Sequence, residues 1–151
     1  MKYFTIEELT ASATAKRKGI SNKPTADIVA ALERLVENVL DPLREAWGAP
    51  IIVTSGYRSP KLNAAVGGAR GSQHTYGQAA DIRTVSDRPE DNRRLRDLLV
   101  SLNLPFDQLI DEFSCDWLHV SYRASGNRGQ ILSARRVKGK TVYTAGITKT
   151  K

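Results

Sequence analysis

Two histidines constrain the fold of this chain most strongly, because they are its only two and each lies near an acid. His74 stands in the run SQHTYGQAAD over residues 72–81, seven residues before Asp81, and His119 closes the run DWLH. Two imidazoles and one carboxylate leave the fourth tetrahedral position of a zinc ion open, as catalytic zinc sites do. The sequence therefore predicts a fold that brings His74, Asp81 and His119 to one zinc ion.

The chain is long enough to bury a hydrophobic core without disulfide bonds. It has 151 residues, of which 40% are hydrophobic and 26% charged, values typical of one globular domain. Cys115 is the only cysteine, which excludes an intrachain disulfide, and we expect it to be buried. No apolar run approaches the ~20 residues of a membrane span, and the N-terminus lacks the apolar region of a signal peptide. We expect a monomeric single domain over residues 1–151, made in the cytoplasm.

Hydrophobic spacing predicts helices and strands in a mixed order. Thr5 begins a first helix that fades near Gly19, and a second helix over residues 28–43 should kink or end at Pro42. Further helices are predicted to begin at Ser59 and near Asp87. Strands are predicted over residues 51–55, 79–84, 106–113 and 117–123, and a hairpin over residues 130–144. This order predicts an α+β domain with helices packed on one side of a mainly antiparallel sheet.

Basic residues are concentrated in the C-terminal part of the chain. From residue 117 onwards there is no acid, and the bases are Arg123, Arg128, Arg135, Arg136, Lys138, Lys140, Lys149 and Lys151. This pattern favours an anionic partner, although a solvated basic face without a ligand is an equally good interpretation. Aromatic and basic residues do not alternate as they do in proteins that stack on bases, so we expect no nucleic-acid partner.

A hydrolytic zinc site also needs a carboxylate that accepts a proton, and two acids are candidates. In a strand that starts at Trp117, His119 faces the same side as Trp117. Asp116 then reaches the site of His119 only if the chain bends over residues 114–116. Glu112 is the alternative base, since it shares one face of the preceding strand with Ile110.

These motifs resemble the zinc D-Ala-D-Ala carboxypeptidase family, over about residues 50–123. That family includes phage L-alanyl-D-glutamate endopeptidases and vancomycin-resistance dipeptidases and shares its fold with the hedgehog signalling domain. The run WLHVS after Asp116 is similar to a short phage- or prophage-associated subgroup. The resemblance implies one zinc ion on the three ligands already named, with Asp116 as general base. It also implies that Arg58 binds a substrate carboxylate or the oxyanion, and that Ser72 and Gln73 line the substrate side.

The function that this resemblance implies is hydrolysis of a peptide bond in bacterial peptidoglycan, with the stem peptide as substrate. The reaction is that of a D-Ala-D-Ala carboxypeptidase or of an endolysin-type endopeptidase, at the cell wall after release or as a phage product. The basic hairpin and tail over residues 124–151 are then expected to contact an anionic wall polymer. Two alternatives stay open: a non-catalytic zinc-containing wall-binding module of the same fold and, more remotely, a nucleic-acid-binding protein. For Arg58, the alternative is a simple ion pair with an acid such as Asp111.

Overall fold

One six-stranded sheet organises the protein, whose computed structural model describes residues 1–146. The strands are β1 (Ile51–Ser55), β2 (Ala79–Thr84), β3 (Gln108–Glu112), β4 (Trp117–Ser121), β5 (Gln130–Val137) and β6 (Lys140–Ala145). Their spatial order is β1-β2-β4-β3-β5-β6, and every neighbouring pair is antiparallel except β3 and β5, which are parallel. The predicted α+β class with a mainly antiparallel sheet is confirmed. The predicted tail beyond Gly146, with Lys149 and Lys151, lies outside the described residues.

Helices precede the sheet and fill its longer connections. They are α1 (Ile6–Thr10), α2 (Ala13–Lys18), α3 (Ala26–Leu35), α4 (Asp41–Trp47), α5 (Pro60–Ala65) and α6 (Pro89–Ser101). The single helix predicted before Gly19 is two short helices, because Ser12 begins a new one by accepting a hydrogen bond from Ala15 N at 3.1 Å. Within residues 1–146, no helix is both long and apolar enough to cross a membrane.

The helix interrupted by Pro42 continues past that residue. A π-helical turn over Val36–Leu40 joins α3 to α4, and Pro42 lies in the first turn of α4. The amide of Asp41 donates to the carbonyl of Val36, five residues earlier, instead of four. This wider turn places the proline at a helix start, where its missing N–H costs little. The buried face of the combined helix therefore stays continuous.

The two faces of the sheet have different partners. Ile82, Leu109 and Leu118 belong to the buried core, together with leucines of α3 and α6. The alternate residues of the same strands, among them Asp81 and His119, point to the opposite face, since side chains alternate along a strand. Hence one face closes the core and the other is left to form a cleft.

Gly56 allows the chain to leave β1 directly against α1. The next residue, Tyr57, donates its backbone N–H to Leu9 O at 2.8 Å. A Cβ built on Gly56 would stand 2.1 Å from the same carbonyl oxygen, far inside contact distance. The carbonyl of Gly56 also accepts a hydrogen bond from His74 Nδ1 at 2.7 Å. A glycine is therefore required at this point of the chain, and the candidate ligand His74 depends on it.

Replacing Gly56 with alanine should lower the free energy of unfolding by about 2–3 kcal/mol, since overpacking against fixed backbone has that order of cost. Urea denaturation of the purified variant measures it. Gly19→Ala is the control, because Gly19 has φ +64° but open space around its Cβ position, and should lose only about 1 kcal/mol. Equal losses in the two variants would show that the contact with Leu9 is not limiting.

Candidate metal centre

The three predicted ligands come from two strands and one short turn. Asp81 on β2 and His119 on β4 are directly paired in the sheet, so their side chains leave the same face next to each other. His74 lies in a 3₁₀ turn over Gln73–Tyr76, which begins where Ser72 Oγ accepts a hydrogen bond from His74 N at 3.2 Å. Strand pairing thus fixes two of the ligands and a capped turn fixes the third.

Both imidazoles converge on one carboxylate oxygen. His74 Nε2 lies 3.3 Å and His119 Nδ1 lies 3.2 Å from Asp81 Oδ1. The two rings meet edge to face with their centroids 5.1 Å apart. One ligand atom from each of the three residues lies within 4.8 Å of the other two. The structure therefore brings together the three residues that the motifs predicted.

The hydrogen bond to Gly56 determines which nitrogen of His74 is free. A carbonyl oxygen only accepts, so Nδ1 carries the proton and donates it to Gly56 O. In a neutral ring the lone pair of Nε2 then faces the Asp81 carboxylate, which is also an acceptor. Two acceptors 3.3 Å apart repel each other unless a cation or a second proton stands between them. His74 is only 3% exposed, so water cannot readily relieve this contact.

The distance of each imidazole nitrogen from the Asp81 oxygen fits a small tetrahedral cation. Ligand atoms that are each about 2.0–2.1 Å from such an ion stand about 3.3 Å apart, as tetrahedral geometry requires. The two nitrogen–oxygen distances at Asp81 have this value within a tenth of an ångström. Burial raises the pKa of Asp81, but the adjacent His119 and His74 rings, when they carry a proton on the nitrogen that faces it, outweigh burial and hold the pKa well below its usual range. Asp81 is therefore a charged ligand, and two nitrogens with one carboxylate oxygen suit zinc.

Glu112 faces the same cleft as the three ligands. It lies at the end of β3, and the cleft that it lines has a volume of about 1200 Å³ and also contains His74, Asp81 and His119. Within residues 1–146 no group donates a hydrogen bond to its carboxylate. Burial raises the pKa of Glu112 to about 7; the charge of His119 opposes this rise, whereas those of Asp81 and Asp111 add to it. Glu112 is therefore an acid of the main cleft with a raised pKa, which makes it a candidate general base.

Asp116 does not line the main cleft, although the bend on which its role depended is present. Its side chain is exposed and lines a second, smaller cavity of about 350 Å³, which adjoins the metal centre because Asp81 and Trp117 line both cavities. The main cleft that holds His119 does not include Asp116. The bend thus places Asp116 in the smaller cavity on one side of Asp81 and Glu112, four residues earlier, in the main cleft.

This bend is a left-handed turn of three successive non-glycine residues. Phe113, Ser114 and Cys115 have φ values of +53°, +59° and +67°, and such a conformation costs roughly 1–2 kcal/mol per residue. Asn92 of α6 stabilises it from the core side, because its amide donates to Cys115 O at 3.0 Å and to Asp116 O at 3.2 Å. The turn that places Glu112 is therefore held by a fully buried side chain of a helix.

Arg58 is fixed beside the ligands. Its guanidinium donates to Ser55 Oγ at 3.0 Å, to Asn63 Oδ1 at 2.9 Å and to Asp81 Oδ2 at 3.4 Å. The alternative pairing with Asp111 does not occur, since Arg96 holds Asp111 at 2.9 Å. Arg58 also lines the cleft, so the N–H groups that it does not use internally are available to a substrate.

Ser72 and Gln73 both line the cleft, as predicted, but each also has a structural contact. The Ser72 hydroxyl caps the turn of His74, and the Gln73 amide donates to Asp107 Oδ2 at 3.1 Å. Asp107 is fully buried and also binds Arg128, whose Nε and Nη2 lie 3.0 Å from its two oxygens. The Arg128 guanidinium raises the cost of protonating Asp107, so the pKa of this carboxyl is lowered.

Sequence reasoning missed the polar residues that hold the site in place. Asn63 orients Arg58, Asn92 supports the left-handed turn, and Asp107 anchors one wall of the cleft. None of them stands in a motif with metal-ligand spacing. An asparagine or aspartate amid a polar helix or loop gives no signal that it is buried, so only the tertiary structure reveals these roles.

Comparison with known proteins agrees with this geometry. The model of the family described as Peptidase M15 matches residues 2–121. A curated relative, the zinc D-Ala-D-Ala carboxypeptidase of Streptomyces albus G, is 50% identical over 44 residues, which is 28% of this chain and 17% of that protein. The match therefore spans less than a fifth of the relative's length. The family match covers most of the chain, all three candidate ligands and Glu112, and the chain belongs to the Peptidase M15 family.

Proposed function

We propose that this protein is a zinc peptidase that hydrolyses a peptide bond of bacterial peptidoglycan. The observation that carries the proposal is the convergence of His74 and His119 on one oxygen of Asp81, in a cleft that also contains an unbonded Glu112. Membership of a peptidase family and the partial likeness to a zinc D-Ala-D-Ala carboxypeptidase support the reaction and the substrate class. The cleft volume of about 1200 Å³ exceeds that of most small-molecule sites and suits a peptide.

The zinc expected from the sequence agrees with the donors present and with the relative's name. His74 Nε2, His119 Nδ1 and one oxygen of Asp81 would hold the ion. When bound, zinc supplies a Lewis acid that polarises a carbonyl and makes water more acidic. The chain itself orients the ligands: Gly56 fixes the tautomer of His74, and Arg58 fixes Asp81 through its second oxygen.

Glu112 is the general base in this proposal, in place of Asp116. Its carboxylate faces the cleft without an internal hydrogen-bond donor, and its pKa of about 7 suits proton transfer near neutral pH. It would take the proton from the attacking water and return it to the leaving amine. Arg58, held beside Asp81, would donate to the carbonyl oxygen as negative charge develops there, or to a carboxylate of the substrate.

As a further part of the proposal, the basic C-terminal region contacts an anionic wall polymer. Not all of its basic side chains are free for such a contact. Of the described arginines in this region, Arg128 is paired with Asp107, whereas Arg123 and Arg136 line the cleft. Arg135, Lys138 and Lys140 are exposed on the β5–β6 hairpin. These three side chains remain as candidates for a surface contact.

The metal is tested with two isosteric substitutions. Asp81→Asn keeps the shape of the side chain but removes its charge, and should weaken zinc binding at least about 100-fold, because loss of an outer partner alone costs 10–100-fold. Asp87→Asn is the matched control, an exposed acid at the second cavity, and should bind zinc as the wild type does. Elemental analysis and competition with a chelator give stoichiometry and affinity. A wild-type protein without a stoichiometric ion would contradict the proposal.

Glu112→Gln should reduce kcat/KM about 10²–10⁴-fold with zinc still bound, since a general base contributes that much. Asp116→Asn should stay within about threefold of the wild type. The substrate is purified peptidoglycan, and mass spectrometry of the fragments identifies the bond that is cut and separates carboxypeptidase from endopeptidase action. A larger loss in Asp116→Asn than in Glu112→Gln would reverse the assignment of the base. Full zinc occupancy with no cleavage by the wild type would indicate a binding module.

The pH dependence of kcat/KM should follow the ionisation of Glu112. The base must be charged, so kcat/KM should rise with pH and level off. The midpoint should lie at or below about 7, because a bound cation lowers the pKa that burial raises. This acid limb should be absent from the residual activity of Glu112→Gln. If kcat/KM of Glu112→Gln still rose with pH in the same range, the titrating group would be a residue other than Glu112.

The ionisation of Glu112 should also change the thermal stability of the metal-free protein with pH. The pKa of Glu112 is higher in the folded protein than in the unfolded chain, so the folded state binds the proton more tightly. Charging Glu112 therefore destabilises the metal-free protein progressively from about pH 4.5 to about pH 7. Glu112→Gln should raise the Tm of metal-free protein by a few degrees at pH 8 and leave it unchanged at pH 4. Differential scanning calorimetry measures both, with Asp116→Asn as the exposed control that shows no such trend.

A further inference from the structure

The β5–β6 hairpin supplies one wall of the cleft and lies outside the region that the family model matches. The family match ends at Ser121, whereas β5 begins at Gln130. Four side chains of the hairpin line the same cleft as the candidate ligands: Leu132, Arg136, Thr141 and Tyr143. The hairpin therefore has a face toward the cleft in addition to the exposed basic residues at its surface.

Strand register places Tyr143 in line with the proposed base. Glu112 on β3 is paired with Ala134 on β5, and Ala134 is paired with Tyr143 on β6. Directly paired residues project from the same face of a sheet, and each strand is about 4.8 Å from the next. Glu112 and Tyr143 thus stand two strands apart, with only the methyl group of the fully buried Ala134 between them.

The environment of the Tyr143 phenol keeps its proton in place. Tyr143 is 55% exposed, and the partial burial of its ring raises its pKa, as do the negative charges of Glu112 and Asp81. These charges act on it because the phenol faces the same cleft. Within residues 1–146 its hydroxyl has no hydrogen-bond partner. It is therefore a protonated, unused donor beside the proposed reaction centre.

Arg136 adds a cation without a counterion. Of the four arginines that line the cleft, Arg58 and Arg128 are bound to acids. Within residues 1–146 no acid lies within ion-pair distance of Arg136 or Arg123. The Arg136 guanidinium lies 5.4 Å from the centre of the Phe113 ring, next to Glu112 in the chain. This contact holds the guanidinium of the exposed Arg136 over the Phe113 ring, while its N–H groups bind no acid of the described residues.

We propose that the β5–β6 hairpin is the specificity wall of the cleft: Arg136 binds a carboxylate of the substrate peptide, and the Tyr143 hydroxyl donates to the peptide group beside it. The inference rests on the proposed function, because it names the side of the substrate that this cleft recognises. An unpaired guanidinium is suited to a carboxylate, which it binds through two parallel hydrogen bonds. The neutral phenol adds a directional contact closer to Glu112.

The test compares two neighbouring arginines on opposite faces of β5. Arg136 faces the cleft with Thr141, whereas Arg135 pairs with Val142 and faces away. Arg136→Gln and Arg135→Gln therefore remove the same charge from adjacent positions. Binding is measured by calorimetry on the zinc-loaded Glu112→Gln background, which prevents hydrolysis. The probes are a synthetic stem peptide with free carboxylates and the same peptide with those carboxylates converted to amides.

Arg136→Gln should raise the Kd of the carboxylate peptide about 10-fold, as expected for a lost hydrogen bond to a charged group, and leave the Kd of the amidated peptide unchanged. Arg135→Gln should change neither. Tyr143→Phe should raise both values about fivefold, since it removes one neutral hydrogen bond. Equal effects of Arg136→Gln on the two peptides, or loss of the carboxylate preference in Arg123→Gln instead, would overturn the proposal.

Turnover measured with enzyme that retains Glu112 distinguishes failure of the specificity wall from failure of the proposed peptidase function. With the wild-type base, Arg136→Gln should raise KM and leave kcat within about twofold, because the carboxylate contact is made equally in the ground and transition states. If the wild type binds the carboxylate peptide through Arg136 but never cleaves it, the specificity wall stands and the proposed peptidase function fails. If it cleaves the peptide with no dependence on Arg136, the peptidase stands and the wall fails.

Discussion

The contact between two imidazole nitrogens and one oxygen of Asp81 is the constraint on which the rest of the site depends. It requires β2 and β4 to be neighbours in register, although α6 and β3 separate them in the sequence. It also requires the turn of His74 to lie against β1, which the close approach of Gly56 to α1 makes possible. The contact with Asp81 consequently depends on all three features: the order of the strands, the capped turn of His74 and Gly56.

The ligands could be predicted from the sequence because their spacing is local and their chemistry is restrictive. Seven residues separate His74 from Asp81, and strand alternation alone puts His119 on a definite face. The proposed preference for Glu112 over Asp116 as the base could not be reached in the same way. It depends on a left-handed turn through Phe113, Ser114 and Cys115, a conformation that ordinary propensities disfavour. The burial of Asn92, which stabilises that turn, has no sequence signal either.

The strands and most helices follow from hydrophobic periodicity, and the departures have local causes. Ser12 begins a second helix where one continuous helix was predicted, because its hydroxyl offers the backbone a new cap. Pro42 is accommodated by a π-helical turn, since that turn moves the proline to a helix start. In both places a single polar or cyclic side chain decided a backbone arrangement that the apolar pattern does not specify.

The buried amide of Asn92 has a consequence for how damage spreads through the molecule. Its oxygen accepts from the backbone and hydroxyl of Thr84 at the end of β2, while its nitrogen holds the turn after β3. Through Asn92, the end of β2 on the core side is linked to the turn that positions Glu112. The tautomer of His74 does not depend on this link, because Gly56 controls it. In the proposed site, the tautomer of His74 and the placement of Glu112 thus depend on different buried contacts, and a substitution of Asn92 would act on the second without touching the first.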